Sequence, residues 1–296
     1  MSEIKSVREL KVGLALMPEE AFWQAAGTLF ESKLVDIVEW SFDTCWQREL
    51  LPEELALTID AFSKGGALLG HGIFYSTLSA AQEPLPSQKM WLEQLKQECK
   101  QRSYKHISEH FGFLESKNWR VGSHLPVPSC EAAILQGRRS LELIQDACGL
   151  PVGLENLALA FSIDDVFNQG SMLDEILRPL NGFLLLDLHN IYCQSLNFSV
   201  SMAEILDTMP LDLVKEIHLS GGSFQNNLRR DTHDDGIPHM VIEILPGVLQ
   251  SCPNLEYVIV ERLGNSLLNK TRENDFRNEF IAVRDLVTRL KAAAYG

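Results

Sequence analysis

Short apolar runs alternate along this chain with longer stretches whose apolar positions recur at helical spacing. The runs fall at about residues 11–17, 35–41, 66–74, 106–113, 152–157, 182–190, 214–221 and 257–263. Several, such as Phe183-Leu184-Leu185-Leu186, are apolar at successive positions, the pattern of a strand buried on both faces in a parallel sheet. Helical spacing is clearest at 90–102, where Trp91, Leu92, Leu95 and Cys99 share a face, and at 130–147, where Ala133, Leu135, Leu141 and Ile144 do. A last helix over about 275–293 carries Phe280, Val283, Leu286, Val287 and Leu290. Eight strands alternating with helices predict an α/β protein, a (β/α)8 barrel of the TIM type closed by that last helix. With no linker, repeat or low-complexity segment, residues 1–296 read as one barrel domain. The long irregular stretches at 77–89, 114–128 and 222–238 each follow a strand, which assigns them to the C-terminal mouth where barrel enzymes work.

The polar residues at the ends of these runs change the picture. His71, His110, Glu155, Asp187, His218 and Glu261 stand at or near the exits of predicted strands three to eight, one to each. Asn190 follows Asp187, and Asp231 and His233 lie on the loop after strand seven, where alternate residues of an extended Asp-Thr-His segment share a side. A barrel gathers strand exits around one mouth, so these nine groups converge. Imidazole with carboxylate is the ligand set of a hard or borderline metal ion, and nine groups are too many for one ion. Two or three ions are expected, with a bridging carboxylate between them. A single histidine on a barrel strand is more often an ordinary satisfied polar group. A ring of histidines and acids in apolar runs has few such explanations, because buried carboxylates are costly unless paired. No cysteine occupies any of these positions, which disfavours an iron–sulfur or thiolate zinc site.

Other residues are candidates of lower rank. Glu39, ending strand two, either hydrogen-bonds a ligand histidine or forms an ion pair. Glu109 and His189 adjoin ligands but should point away, and His106 begins its strand at the wrong end. His124 and His239 are placed to reach substrate or lie in solvent, and Arg229 and Arg230 clamp an anionic substrate group or do the same. Arg262 is similarly open, and the Gly221-Gly222-Ser223 turn either cradles an anion or lets the chain turn.

Composition then narrows the partners. Formal net charge is −14 and the pI about 5.0, the wrong sign for a protein that lives on phosphate backbones. The N-terminal residues lack an apolar signal core and no window reaches the length of a membrane span, so a cytoplasmic protein without membrane or nucleic-acid partners is expected. The six cysteines show no framework spacing and read as ordinary thiols in a reducing compartment.

At Ser-Glu-His-Phe-Gly-Phe, Leu-Pro-Val-Pro, Gly-Leu-Glu-Asn-Leu-Ala, Leu-Leu-Leu-Asp-Leu-His-Asn-Ile-Tyr, Glu-Ile-His-Leu-Ser-Gly-Gly, Asp-Thr-His and Ile-Val-Glu-Arg, the chain resembles the multinuclear non-haem iron-dependent oxidative enzymes, a branch of the xylose-isomerase-like barrels. The resemblance runs from Val12 to the final helix. It implies that His71, His110, Glu155, Asp187, Asn190, His218, Asp231, His233 and Glu261 hold two or three irons of mixed valence. Glu155, Asp187, His218 and Glu261 are assigned to catalysis as well. It further implies dioxygen as co-substrate, a ribosomally made precursor peptide with a reacting cysteine as substrate, and in several relatives a separate small peptide-recognition partner protein. His124, Arg229 and Arg230 would then meet the peptide. The rival reading is a three-zinc barrel of the apurinic endonuclease IV type, which the acidic charge and Asn190 disfavour; a divalent-metal sugar isomerase is weaker still.

Overall fold

The structure, a computed structural model, describes residues 10–46, 51–79 and 83–293. Eight parallel strands close a barrel: β1 (Lys11–Leu16), β2 (Ile37–Trp40), β3 (Leu68–Gly72), β4 (Ile107–His110), β5 (Val152–Glu155), β6 (Phe183–Asp187), β7 (Val214–Leu219) and β8 (Tyr257–Val260). Each pairs with its neighbours in sequence, and β8 returns to β1. Around them run α1 (Glu20–Glu31), α2 (Glu53–Lys64), α3 (Pro86–Gln101), α4 (Glu131–Cys148), α5 (Ile163–Leu177), α6 (Leu188–Phe198), α7 (Met202–Leu206), α8 (His239–Ser251) and α9 (Lys270–Ala293). The expected (β/α)8 architecture is the one observed.

Burial explains the apolar runs. One core fills the layer between strands and helices, with Leu14, Leu16, Val38, Leu186 and Ile217 among its members. A smaller one of Ala15, Ile37, Leu69, Tyr257 and Ile259 occupies the barrel interior. The last helix belongs to the outer layer. Phe276 and Phe280 of α9 are fully buried, and the Phe276 ring lies 6.1 Å from that of Phe22 on α1. Each such side chain is worth about 1.5–3 kcal/mol when removed from water.

Four expectations change in detail. The run at 182–190 is a strand only to Asp187, because the Asp187 carboxylate accepts the backbone N–H of Asn190 at 2.6 Å and so caps α6. The stretch at 114–128 is not irregular: Phe113–Ser116 pairs antiparallel with Trp119–Leu125 in a hairpin over the mouth. Within 222–238, Phe224–Gln225 pairs with Leu228–Arg229 across Asn226 and Asn227, whose positive φ values of 53° and 62° are those of a type I′ turn. Two helices start earlier than their apolar pattern, α3 at Pro86, whose ring suits a first turn, and α9 at Lys270. Among the described residues no helix is long and apolar enough to cross a membrane, and all six cysteines are free thiols.

Candidate metal centre

Strand register sets most of the predicted groups at one height. His71 is paired across the sheet with Ser108, His110 with Glu155, and Asp187 with His218. Glu261 follows β8, and its N–H donates to Leu219 O at 3.0 Å. Asp231 and His233 arrive from the loop after the second hairpin. Their side chains meet at 2.8 Å although His233 is not extended, its φ being +52°. Strain of this kind in a non-glycine residue is typical of functional sites.

The ligand-type atoms form four overlapping groups, each with its members within 4.8 Å of one another. They are His71, His110 and Glu155; Glu155, Asp187 and His218; Asp187, Asp231 and His233; and Glu39, His218 and Glu261. Eight of the nine predicted ligands are therefore brought together. The ninth, Asn190, is also present: its side-chain N–H donates to Glu155 Oε1 at 3.0 Å and to Asn156 O at 2.8 Å. Asn190 Oδ1 and Asp187 Oδ2 are buried and take part in no hydrogen bond or ion pair among the described residues. Polar atoms buried without partners are costly, and a cation among them removes that cost. The residues present thus fit a hard or borderline metal cluster.

The supporting contacts decide which ring nitrogens face the cluster. Ser108 Oγ lies 2.8 Å from His71 Nδ1 and donates to Gly70 O at 3.3 Å, so it accepts from Nδ1–H. His71 Nε2, left with its lone pair, lies 3.3 Å from His110 Nε2 and 3.4 Å from Glu155 Oε2. Glu39 lies 3.2 Å from His218 Nε2, on the opposite side of the ring from Glu261, which lies 3.1 Å from Nδ1. Glu39 therefore contacts a candidate ligand histidine from behind. Asn156 fixes the end of β6 with two hydrogen bonds, donating to Asp187 O at 3.1 Å and accepting from Asp187 N at 2.8 Å.

The remaining candidates divide. His124 comes down from the first hairpin onto His110, ring centroids 4.3 Å apart. His189 does not point away as a strand residue would; because α6 has begun, its ring swings to Asp231, Nδ1 to Oδ1 2.8 Å. Glu109 does point away and accepts the Tyr75 N–H at 2.7 Å. His106 is buried at the closed end, 2.8 Å from Glu216. His239 is exposed beside Glu243, and Arg262 is buried on Glu279 at 2.9 Å. Arg229 turns inward onto His189, whereas Arg230 is held by its backbone N–H, which donates to Ser223 O at 3.0 Å. Gly221 and Gly222 serve the turn and its close packing. A Cβ on either would stand 2.0 Å from Gly236 O or 2.2 Å from Arg230 O, so they let β7 approach the backbone of the loop bearing Asp231 and His233.

A cavity of about 280 Å³ opens onto this cluster. Its floor is His71, His110, Glu155, His233 and Glu261, and its wall is largely apolar, with Leu16, Met17, Trp40, Ile73 and Leu263 beside Glu19 and Ser41. Leu16, Met17, Trp40 and Ser41 of the wall come from the exits of β1 and β2, which carry none of the predicted ligands, while Ile73 and Leu263 follow β3 and β8. Its apolar residues look like core in the sequence, and no signal there marks them.

Burial and crowding push the groups apart in acidity. Desolvation holds the Asp187 carboxyl well above its ordinary range, with Asp231 and Glu155 adding to it. Burial likewise raises Glu39, to about 8, against the opposing pull of His218. His110 overcomes its own burial because Glu155 faces it and hydrogen-bonds it, with the charge of Glu109 adding to the effect, and rises to about 9. His110 contributes stability that is complete below about pH 6.5 and is lost as pH rises through about 9. Glu39 takes a proton on folding, so its contribution also falls, between about pH 4.5 and 8. Metal-free protein is therefore expected to melt at progressively lower temperature from pH 6.5 to 9. Thermal melts after chelation check this; a flat or rising profile contradicts it.

Fold and site together define a (β/α)8 barrel with a candidate multi-metal centre at its mouth. The family model for "RiPP precursor modification enzyme MbnB/TglH/ChrH" matches residues 31–270, and the chain belongs to this family. It is the multinuclear iron family that the sequence motifs resemble. A UPF0276 protein of Chromobacterium violaceum is 33% identical over 132 residues, 44% of this chain and 48% of that one. A UPF0276 protein of Caulobacter vibrioides is 30% identical over 184 residues, 62% of this chain and 64% of that one. The matches thus span about half to just under two-thirds of these relatives' lengths. Among solved structures, L-ribulose 3-epimerase superposes with a TM-score of 0.55 at 11% identity, covering 97% of this chain and 98% of that one. The probable 3-DHS dehydratase AsbF from Bacillus anthracis gives 0.56 at 13%, covering 93% and 98%. Likeness at such identities shows the fold alone.

Proposed function

We propose that this protein is an iron-dependent oxidative enzyme that uses dioxygen to modify a residue, cysteine by preference, of a ribosomally made precursor peptide. The observation that carries the reading is the set of overlapping imidazole–carboxylate groups beneath a cavity open on one side, in a chain of a precursor-modifying family. His71, His110, Glu155, Asp187, Asn190, His218, Asp231, His233 and Glu261 would hold the ions. Bound iron supplies Lewis acidity and one-electron chemistry at this floor.

The chain's own residues do the rest. Only five of the groups, His71, His110, Glu155, His233 and Glu261, line the cavity, so a peptide side chain entering it meets that side of the cluster. Asp187 and His218 lie buried behind. The wall of Leu16, Met17, Trp40, Ile73 and Leu263 excludes water from the entering group, and a dry site strengthens every charge interaction within it. His124 packs against His110 from the first hairpin, ring centroids 4.3 Å apart, and would hold that ring in place.

The test is direct. Protein prepared with iron and limited oxygen should carry more than one iron per chain, with a ferrous–ferric signature by Mössbauer or EPR spectroscopy. A cysteine-containing peptide encoded beside the gene should perturb that spectrum and consume dioxygen, and its Cys→Ser version should do neither. Strict zinc loading with cleavage of abasic DNA would overturn the reading in favour of a hydrolase.

A further inference from the structure

We propose that Arg229 and His189 are positioning residues that fix the Asp231 carboxylate for metal binding, and that Arg229 is not a substrate clamp. This rests on the reading of Asp231 as a ligand.

His189 lies fully buried in the first turn of α6. Its Nε2 faces the Arg229 guanidinium, 3.4 Å from Nε and 3.3 Å from Nη2. A guanidinium has donors and no acceptor, so Nε2 must accept. The imidazole proton then sits on Nδ1 and is donated to Asp231 Oδ1, 2.8 Å away. Ser220 Oγ donates to the same oxygen at 3.1 Å. With Oδ1 taken by two donors, Oδ2 is the oxygen turned toward His233, 2.8 Å from its Nε2, and toward the group that includes Asp187. A hydrogen-bonded carboxylate of this kind presents one oxygen in one direction.

Arg229 is itself held in place. Its backbone N–H donates to Asn197 Oδ1 at 2.8 Å, and its carbonyl accepts from Asn197 Nδ2 at 2.9 Å. The guanidinium carbon lies over the Tyr192 ring at 5.4 Å and the Phe224 ring at 5.5 Å. An arginine bracketed by two aromatic rings, with its donors on a buried imidazole, is poorly placed to seize a substrate anion. The second hairpin is thereby connected, through one imidazole, to a ligand of the cluster.

The experiment is anaerobic titration of the metal-free protein with Co(II), followed by visible absorption, and with Fe(II), followed by metal content. Arg229→Met, which removes every side-chain donor, should weaken one ion by about 10- to 100-fold, the cost typical of losing a partner of a ligand, and leave the other ions as in wild type. Arg229→Lys, which keeps a donor, should recover part of the loss. His189→Asn keeps a donor near the Nδ1 position and should bind more tightly than His189→Leu, which has none. Melting of each metal-free variant near the wild-type temperature separates positioning from misfolding. Wild-type affinity and spectrum in Arg229→Met, with only the KM for peptide raised, would overturn the proposal and restore the clamp. Wild-type protein that takes up neither ion would remove the metal reading itself, an outcome told apart because no variant is then involved.

Discussion

Glu155→Ala is expected to lose metal and activity together, by more than the about 10- to 100-fold that a supporting residue costs. Glu155 belongs to two of the four groups, with His71 and His110 on one side and with Asp187 and His218 on the other. Its Oε2 lies 2.9 Å from His110 Nδ1, and its Oε1 accepts from Asn190 at 3.0 Å. No other carboxylate shares both groups, so truncation removes a bridge rather than one contact. His218→Ala should follow it, since His218 is likewise in two groups. Glu39→Ala, which takes away a contact on the far side of His218, should be the milder change. Metal content of the purified variants measures all three. Full occupancy in Glu155→Ala would mean that the bridging assignment is wrong.

The second large effect is on stability. Buried carboxylates and imidazoles packed this closely destabilise the empty centre, and any ion that binds only the folded state adds RT ln(1 + [L]/Kd). At a thousand-fold excess over Kd that is about 4 kcal/mol per ion. For a chain of this length, one to two ions correspond to a shift in Tm of about 10 °C. Chelation should therefore lower the melting temperature by that order, and re-addition of Fe(II) should restore it. A melting temperature indifferent to chelator would count against a multi-metal centre of any chemistry.

The barrel was legible because a strand buried on both faces leaves an unmistakable apolar run, and because His71, His110, Glu155, Asp187, His218 and Glu261 fall at the same point of successive runs. The supporting groups were harder to see. Ser108 and Asn156 are small polar residues that acquire meaning only from register, which places Ser108 beside His71. Glu216 did leave a signal. It stands two residues before His218 on β7, hence on the same face, one layer further into the barrel. His189 departs from strand alternation because the Asp187 cap starts a helix before it, and a helix turns side chains by about 100° rather than 180°. Arg229 illustrates the other limit. In sequence a substrate clamp and a donor turned onto a buried imidazole look alike, and only the contacts to His189, Tyr192 and Phe224 distinguish them.

The start of α6 bears on the order of assembly. Asp187 caps the helix with Oδ1 while Oδ2 stays free for the cluster, and His189 and Asn190 touch the site from the same turn. Fraying of that one turn would release all three groups at once. Conversely, none of the three is presented until the turn has formed against the closed sheet. An ion held by Asp187 and Asn190 would therefore tie the first turn of α6 to the sheet, and binding and local order at this turn would rise and fall together.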